Sequence, residues 1–227
     1  MIQFILIKWK GGVFLNLKRI IIKGDFAHFK IPARSKIQLT YEIPPISTVV
    51  GILQNIYGME IDDFTLGYFI NYTTKHKEAM TIYKELDLSE NSHKSKKRFI
   101  TDLCIVEFLY NIELVIYTDI DREIELKEPL VLGKTNCLAS ISEITNIDLI
   151  DKEGYGYNQY TSKNIGNGQI RRINTLTSYN ENTDMYDIKS ELVRENIEFK
   201  YDKNYDNDLE RNIYLWNWRG GKISGID

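Results

Sequence analysis

Short runs of apolar and β-branched residues predict a first strand followed by a helix. Residues 17–24 read Leu-Lys-Arg-Ile-Ile-Ile-Lys-Gly, and a β-branched run ended by glycine is typical of a strand. Two prolines then precede Ser47 and Thr48, which suits the start of a helix. Apolar residues recur at helical spacing after them and stop at a glycine: Val49, Val50, Leu53, Ile56, Tyr57 and Gly58.

The remaining pattern predicts mostly strands and one further helix. Strands are expected over residues 64–72, 80–86, 98–108, 113–118 and 137–151. The charged residues 121–127 predict a second helix that stops before Pro129. Polar residues 87–97 predict the tip of a long hairpin, and residues 154–178, rich in Gly, Asn and Tyr, predict a mobile loop.

This order of elements favours an α+β sandwich of the ferredoxin-like type, followed by a small strand-rich C-terminal part. Residues 1–16 fit the pattern poorly. They are either an extra strand or a surplus leader from an upstream start codon.

Composition narrows the class of protein. The chain has 227 residues, 43% hydrophobic and 27% charged, which is typical of a globular protein and argues against disorder or membrane insertion. The N-terminal apolar run comes before Lys8 and Lys10, the reverse of the order in a secretory signal. Two cysteines, Cys104 and Cys137, are too few for a disulfide scaffold or a zinc knuckle. We therefore expect a reduced cytoplasmic protein with no metal, no cofactor and no membrane partner.

Basic residues are clustered although the net charge is −3. Six lie within residues 18–36, four within residues 93–98, and Lys163, Arg171 and Arg172 lie in a stretch without acids. Such islands can form a local positive groove for RNA on an acidic background. Chance clustering of surface charge is the alternative.

The first of these islands adjoins the predicted helix. His28 and Lys30 follow the first strand together with Phe26 and Phe29, so the rings could stack on bases while the lysine binds phosphate. Alternatively, the rings pack in the core and His28 is structural.

The helix N-terminus is a second candidate. Amides near Ser47 and Thr48 could bind an anion, with Arg34 and Lys36 completing a phosphate clamp. Simple capping of the helix by Ser47 or Thr48 is the alternative.

Two loops carry the other candidate cations. The predicted hairpin tip could grip an RNA backbone without sequence preference through Lys94, Lys96, Lys97 and Arg98. Arg171 and Arg172, with the glycines and tyrosines of residues 154–158, could line an RNA channel. A solvated loop is the alternative reading of both segments.

Enzyme motifs give no positive signal. The sequence has no Gly-x-Ser-x-Gly, His-Glu-x-x-His or Cys-x-x-Cys pattern. Metal-free RNA cleavage needs only a base, an acid and a cation, so the residues alone leave an endoribonuclease open.

Two blocks of sequence resemble CRISPR-associated protein family five. Residues 24–30 read Gly-Asp-Phe-Ala-His-Phe-Lys, and residues 39–53 contain Tyr-Glu-Ile-Pro-Pro-Ile-Ser-Thr followed by a Gly-Ile-Leu helix. Residues 129–139, Pro-Leu-Val-Leu-Gly-Lys-Thr-Asn-Cys-Leu-Ala, are similar to a second segment of that family. Lys30 stands where the family usually has arginine, which keeps the charge and loses the forked geometry.

The resemblance implies a RAMP-type, RRM-like ferredoxin fold over residues 17–151. A protruding β-hairpin thumb is expected at about residues 80–108, and residues 152–227 would form the strand-rich C-terminal part. It implies a non-catalytic subunit of Cascade, the type I CRISPR surveillance complex, most similar to the type I-B branch. Such a subunit binds the 5′ handle of the crRNA and contacts the backbone and large subunits. The resemblance adds Lys134 to the expected RNA-binding residues.

One branch of the family, type I-C, cleaves precursor crRNA with a Tyr, a Lys and a His. The sequence has no convincing match to that set. A metal-independent endoribonuclease that processes precursor crRNA is therefore the alternative function.

Overall fold

The computed structural model describes residues 15–32, 36–86, 99–126 and 128–226, and it is built almost entirely from strands. These residues contain thirteen strands and a single helix, and strands account for 61% of them. Every strand pair among these residues is antiparallel except one, in which residues 37–38 run parallel to residues 105–106. The fold is therefore strand-rich and mainly antiparallel, which is consistent with the expected RAMP-like fold, and its ferredoxin-like details and α+β class stay predictions.

An eight-stranded sheet forms the centre of the molecule. Its strands are β1 (Leu15–Ala27), β2 (Ile37–Gln38), β3 (Asp63–Asn71), β4 (Thr74–Leu86), β5 (Phe99–Thr118), β6 (Ala139–Leu149), β12 (Leu215–Arg219) and β13 (Lys222–Gly225). Their main order is β13-β12-β3-β5-β1-β6, and β2 and β4 pair with β5 outside this path.

The strand β5 links the two parts of this sheet. Its second half lies between β1 and β3, while its first half pairs with β4 from Phe99 to Tyr110. The sequence predicts two strands here, and the structure has one strand that passes through Asn111 in a left-handed conformation (φ 53°). The connection between β4 and β5 lies outside the described residues, so the expected thumb stays a prediction.

The helix α1 (Ile46–Tyr57) packs on one face of this sheet. Its apolar residues, which include Val49, Leu53 and Ile56, join a core with Ile20 and Ile22 of β1. Ile21, between those two, belongs to a second core on the opposite face. Because both faces of β1 are covered, the strand reads as a continuous apolar run.

A buried ion pair holds the C-terminal part against the second face. The Arg19 guanidinium lies 2.9 Å from the Asp206 carboxylate, and the Tyr117 hydroxyl donates to the same oxygen at 2.8 Å. Burial lowers the pKa of Arg19, but its interactions with Asp206, Tyr117 and Asp208 together outweigh that effect and raise the pKa. Arg19 is therefore an internal cation and not part of a basic surface.

Two smaller sheets complete the fold. The strands β7 (Gly154–Thr161), β8 (Gln169–Asn180) and β9 (Met185–Tyr201) form a three-stranded sheet in the order β7-β9-β8, and β10 (Tyr205–Asp206) pairs with β11 (Arg211–Asn212). The predicted mobile loop over residues 154–178 is thus wrong, because most of it lies in β7 and β8.

The predicted second helix is also wrong. Residues 119–126 contain no helical turn, and the Glu125 amide donates instead to the Ile56 carbonyl at 2.9 Å. Lys127 lies outside the described residues. No helix in the described part of the chain is long and apolar enough to cross a lipid bilayer.

Candidate functional site

The two sequence blocks, about 80 residues apart along the chain, meet at His28. The His28 amide donates to the Leu132 carbonyl at 3.1 Å. Gly133 has φ +89°, and a Cβ atom there would lie only 2.1 Å from the His28 carbonyl oxygen. A glycine is therefore required at this contact, for conformation and for space.

A tight turn presents Lys134 beside this contact. The Leu132 amide donates to the Cys137 carbonyl and the Cys137 amide to the Lys134 carbonyl, both at 2.8 Å. Val131 and Leu138 form an antiparallel bridge across the turn. These bonds hold Lys134 where the two blocks meet.

Lys30 is held by a short ladder. The Tyr41 amide donates to the Phe29 carbonyl at 2.8 Å, and the Phe29 amide donates to the Thr40 hydroxyl at 2.9 Å. Phe29 is 2% exposed, so its ring packs in the core, whereas Lys30 is exposed. The Phe29 ring therefore packs in the core and is not available to stack on an RNA base.

These elements surround a cleft of about 560 Å³, which we call the first cleft. Its wall brings together four residues that the sequence predicts for RNA binding: His28, Lys30, Thr48 and Lys134. It also contains residues that sequence reasoning missed: Gln38, Met80 and Thr81. Nothing in their local sequence pattern marks these three, because they reach the cleft only through strand pairing.

The N-terminus of α1 opens on the first cleft. Pro45 is the N-cap residue, and no side chain caps the helix. The expectation that Ser47 or Thr48 caps it is therefore wrong. Pro45 and Thr48 both line the cleft, and no acidic residue lies in the first turn of the helix. The helix dipole thus adds positive potential to that of the lysines.

His28 is neutral and offers one acceptor. Its Nδ1 lies 2.7 Å from the Glu107 carbonyl oxygen, so Nδ1 must carry the ring proton and donate it. Nε2 is then an acceptor, and it is buried with no partner among the described residues. Burial lowers the pKa of His28, and the charges of Lys134 and Lys30 lower it further.

This lowered pKa predicts a pH-dependent stability. Just below the ordinary histidine pKa of about 6.5, His28 is protonated in the unfolded chain and still neutral in the folded chain. As the pH is lowered from about 6.5 towards the pKa of His28 in the folded chain, the free energy of unfolding should therefore decrease. This group contributes up to about 1.4 kcal/mol per pH unit to that decrease. In His28→Asn, whose amide can still donate to Glu107, urea unfolding from neutral to mildly acidic pH should show a shallower fall. Equal slopes in the two proteins would contradict the assignment.

A second cleft of about 450 Å³ continues from the first. It lies between the outer face of α1 and residues 128–133, and the two clefts share Thr48 and Gly133. Gly51 of α1, which sequence reasoning also missed, lines it. The detectable signal was a glycine in the middle of a predicted helix, a costly placement that needs a reason.

The other predicted site residues lie elsewhere. Lys36 is exposed, and Ser47 is partly buried and lines neither cleft among the described residues. Arg171 forms an ion pair with Glu195, while Arg172, its neighbour on β8, is exposed. Arg34, Lys94, Lys96, Lys97 and Arg98 lie outside the described residues.

Chemically, the first cleft combines two cations, a helix N-terminus and one neutral imidazole acceptor. This set suits a phosphate together with a neighbouring hydroxyl or amino donor. In the described part of the chain, no group of three or more His, Cys, Asp or Glu side chains is placed to hold a metal ion.

Comparison with solved structures identifies similar folds. A chain of the type III-B Cmr-beta complex, solved by cryo-EM bound to cognate target RNA and AMPPnP, superposes with a TM-score of 0.52 at 12% identity, covering 84% of this chain and 90% of that one. A chain of a CRISPR RNA-guided surveillance complex gives a TM-score of 0.49 at 10% identity, covering 81% and 91%. A CRISPR protein from Archaeoglobus fulgidus gives 0.40 at 11% identity, covering 92% and 98%.

Sequence comparison points the same way. No curated protein sequence matches the chain at a significant level. Residues 19–102 match the family model of the CRISPR-associated protein Cas5, and this span contains β1, α1 and the first sequence block. Residues 19–102 are thus similar in sequence to the CRISPR-associated protein family Cas5, and the fold of the chain is similar to that of the Cmr-beta chain.

Proposed function

We propose that this protein is a non-catalytic subunit of a type I CRISPR surveillance complex. It binds the 5′ handle of the crRNA in the first cleft and contacts the backbone and large subunits in the cytoplasm. The similarity of residues 19–102 to the Cas5 family model supports a role in a CRISPR effector complex. Assignment to the type I-B branch, and the role of the β4–β5 hairpin as a thumb, belong to this proposal.

One observation carries the RNA-binding part of the proposal. The two sequence blocks meet at His28 and place Lys30, Lys134 and the first turn of α1 around one cleft. Each of the first two elements favours an anionic ligand, and the His28 acceptor suits a ribose hydroxyl or a base amino group. An RNA strand offers both kinds of group.

The proposal is tested with the purified protein and labelled repeat RNA in EDTA. Samples run in parallel on native and denaturing gels report binding and cleavage separately. A shifted band of intact RNA is the expected result. An RNA that neither shifts nor changes length would overturn the proposal.

The alternative is a metal-independent endoribonuclease, and the state of His28 favours it as the second candidate. Its free Nε2 could accept the proton of a 2′-hydroxyl, which would attack the adjacent phosphorus while a lysine ammonium protonates the departing 5′ oxygen. A discrete cut product in EDTA that disappears in His28→Asn would establish this reaction. Intact RNA at every time point would exclude it under these conditions.

The β8–β9 hairpin is suited to a protein neighbour. Residues 181–189 around its turn are all exposed, and its large side chains include Tyr179, Met185, Tyr186 and Ile188. Acids accompany them, among them Glu181, Asp184 and Asp187, which disfavours RNA. An apolar protein surface with a basic rim is the complementary partner.

We expect the double variant Tyr186→Ser/Ile188→Ser to assemble less completely with co-expressed backbone and large subunits. Apolar side chains at the centre of an interface contribute much of its affinity. Stoichiometry of the purified complex, together with RNA binding by the isolated variant, measures the effect. Exposed Ile197, on the same strand and farther from the turn, offers a control in Ile197→Ser. Full assembly of the double variant would remove the hairpin from the interface.

A further inference from the structure

Gly51 has no structural reason to be glycine within the described chain. It lies in the interior of α1 and is exposed. A Cβ atom built there meets no atom of the described residues within 4 Å. After proline, glycine is the least favourable residue in a helix interior. The position therefore points to something outside the chain that approaches the helix closely.

The space above Gly51 is the second cleft, and its walls are mainly apolar. Ile52 of α1 faces Pro129, Leu130 and Val131 across it. The walls are also fixed in place, because the Asn55 side chain makes two hydrogen bonds of 3.1 Å to the backbone of Glu128. The cleft is thus preformed and does not depend on a ligand to open it.

A second, independent observation lies in the adjoining first cleft. His28 is 3% exposed, lines that cleft, and keeps Nε2 without a partner among the described residues. A buried acceptor left unpaired costs free energy, so a donor from a ligand is the natural partner. Because the clefts share Thr48 and Gly133, one ligand can reach both.

We propose that the second cleft takes one unpaired nucleobase of the bound RNA, lying flat against the α1 backbone at Gly51. This inference rests on the proposed function: the phosphate of the strand lies at Lys30 and Lys134, and the sugar or base edge donates to His28. The apolar walls suit the faces of a base, and the absence of a side chain at Gly51 leaves room for it.

The decisive variant is Gly51→Leu, which fills the second cleft without disturbing a packed neighbour. Since the site is open, Gly51→Leu should fold, and Gly51→Ala should melt about 2–4 °C higher than wild type. RNA affinity of Gly51→Leu should fall about tenfold, with an unchanged salt dependence because no cation is lost. Gln54→Leu, on the same helix and outside both clefts, is the matched control and should bind as wild type.

A second measurement identifies the base. Handle RNAs with one base removed at a time are titrated against wild type and Gly51→Leu. At one position, removing the base should weaken binding to wild type about tenfold and leave binding to Gly51→Leu unchanged. If Gly51→Leu binds every RNA as wild type does, the base site is refuted while RNA binding stands. If wild type itself binds no RNA, the proposed function fails first.

Discussion

Replacing both Lys30 and Lys134 by glutamine is expected to weaken RNA binding about a hundredfold, or about 2.7 kcal/mol. Both lysines line the first cleft, and both lie close enough to His28 to lower its pKa. Each charged hydrogen bond to a phosphate that is lost should cost about tenfold in affinity. Fluorescence anisotropy with labelled handle RNA measures the loss directly.

Salt dependence separates loss of phosphate contacts from damage to the fold. For single-stranded RNA, each phosphate contact contributes about 0.7 to the slope of log affinity against log salt, so the double variant should lose about 1.4. The control replaces two exposed lysines far from the cleft in sequence, Lys200 and Lys222, and should keep the wild-type slope. An equal change in both proteins would mean that the RNA responds to overall charge and not to this cleft.

The elements that the sequence predicts well are those whose pattern depends on local packing. The helix α1 follows from apolar residues at helical spacing, and its buried residues are largely the expected ones. The first strand and the strand over residues 64–72 are confirmed as β1 and β3. Each strand contains a run of apolar residues that is buried on both faces of the sheet. A continuous apolar run of only about four to eight residues between turn signals is too short for most helices and therefore favours a strand.

Two of the wrong predictions, the mobile loop over residues 154–178 and the helix over residues 121–127, both rest on amino-acid composition, which does not determine the backbone conformation. The glycines of residues 154–168 suggested mobility, yet a Cβ atom at Gly156 would lie 2.4 Å from the Phe199 ring. These glycines allow close approach between strands. The charged residues 121–127 resemble a helix in composition, but nucleation is unfavourable for so short a segment. The Glu125 amide donates to the Ile56 carbonyl of α1 instead of to a carbonyl of its own segment.

The candidate site was predictable in its residues and not in its assembly. His28, Lys30, Thr48 and Lys134 were expected, but only tertiary structure shows that residues 130–134 lie against His28. Counting basic residues along the sequence is misleading for Arg19. It belongs to the first basic island in sequence, and burial against Asp206 removes it from any RNA surface.

Asp206→Ala is therefore expected to destabilise the protein by about 3–5 kcal/mol, because it leaves the buried Arg19 charge without its main partner. Asp206 is 2% exposed, receives hydrogen bonds from Arg19 and Tyr117, and also accepts the amides of Asp208 and Leu209. Urea unfolding monitored by tryptophan fluorescence measures the change. The RNA affinity of the folded fraction should stay at the wild-type value, since this ion pair does not line either cleft.

Asp208→Ala is the matched control, because Asp208 also contacts Arg19, at 3.2 Å, but its side chain is 65% exposed. An exposed ion pair contributes below about 1 kcal/mol, so this variant should unfold close to wild type. The two residues pair with one arginine, but Asp206 is buried and also accepts the Tyr117 hydroxyl and two backbone amides, whereas Asp208 is exposed. If both variants lost the same stability, the buried pair would not be what holds the C-terminal part against the central sheet. If Asp206→Ala stayed folded but no longer bound RNA, Arg19 would have to be included among the RNA-binding cations.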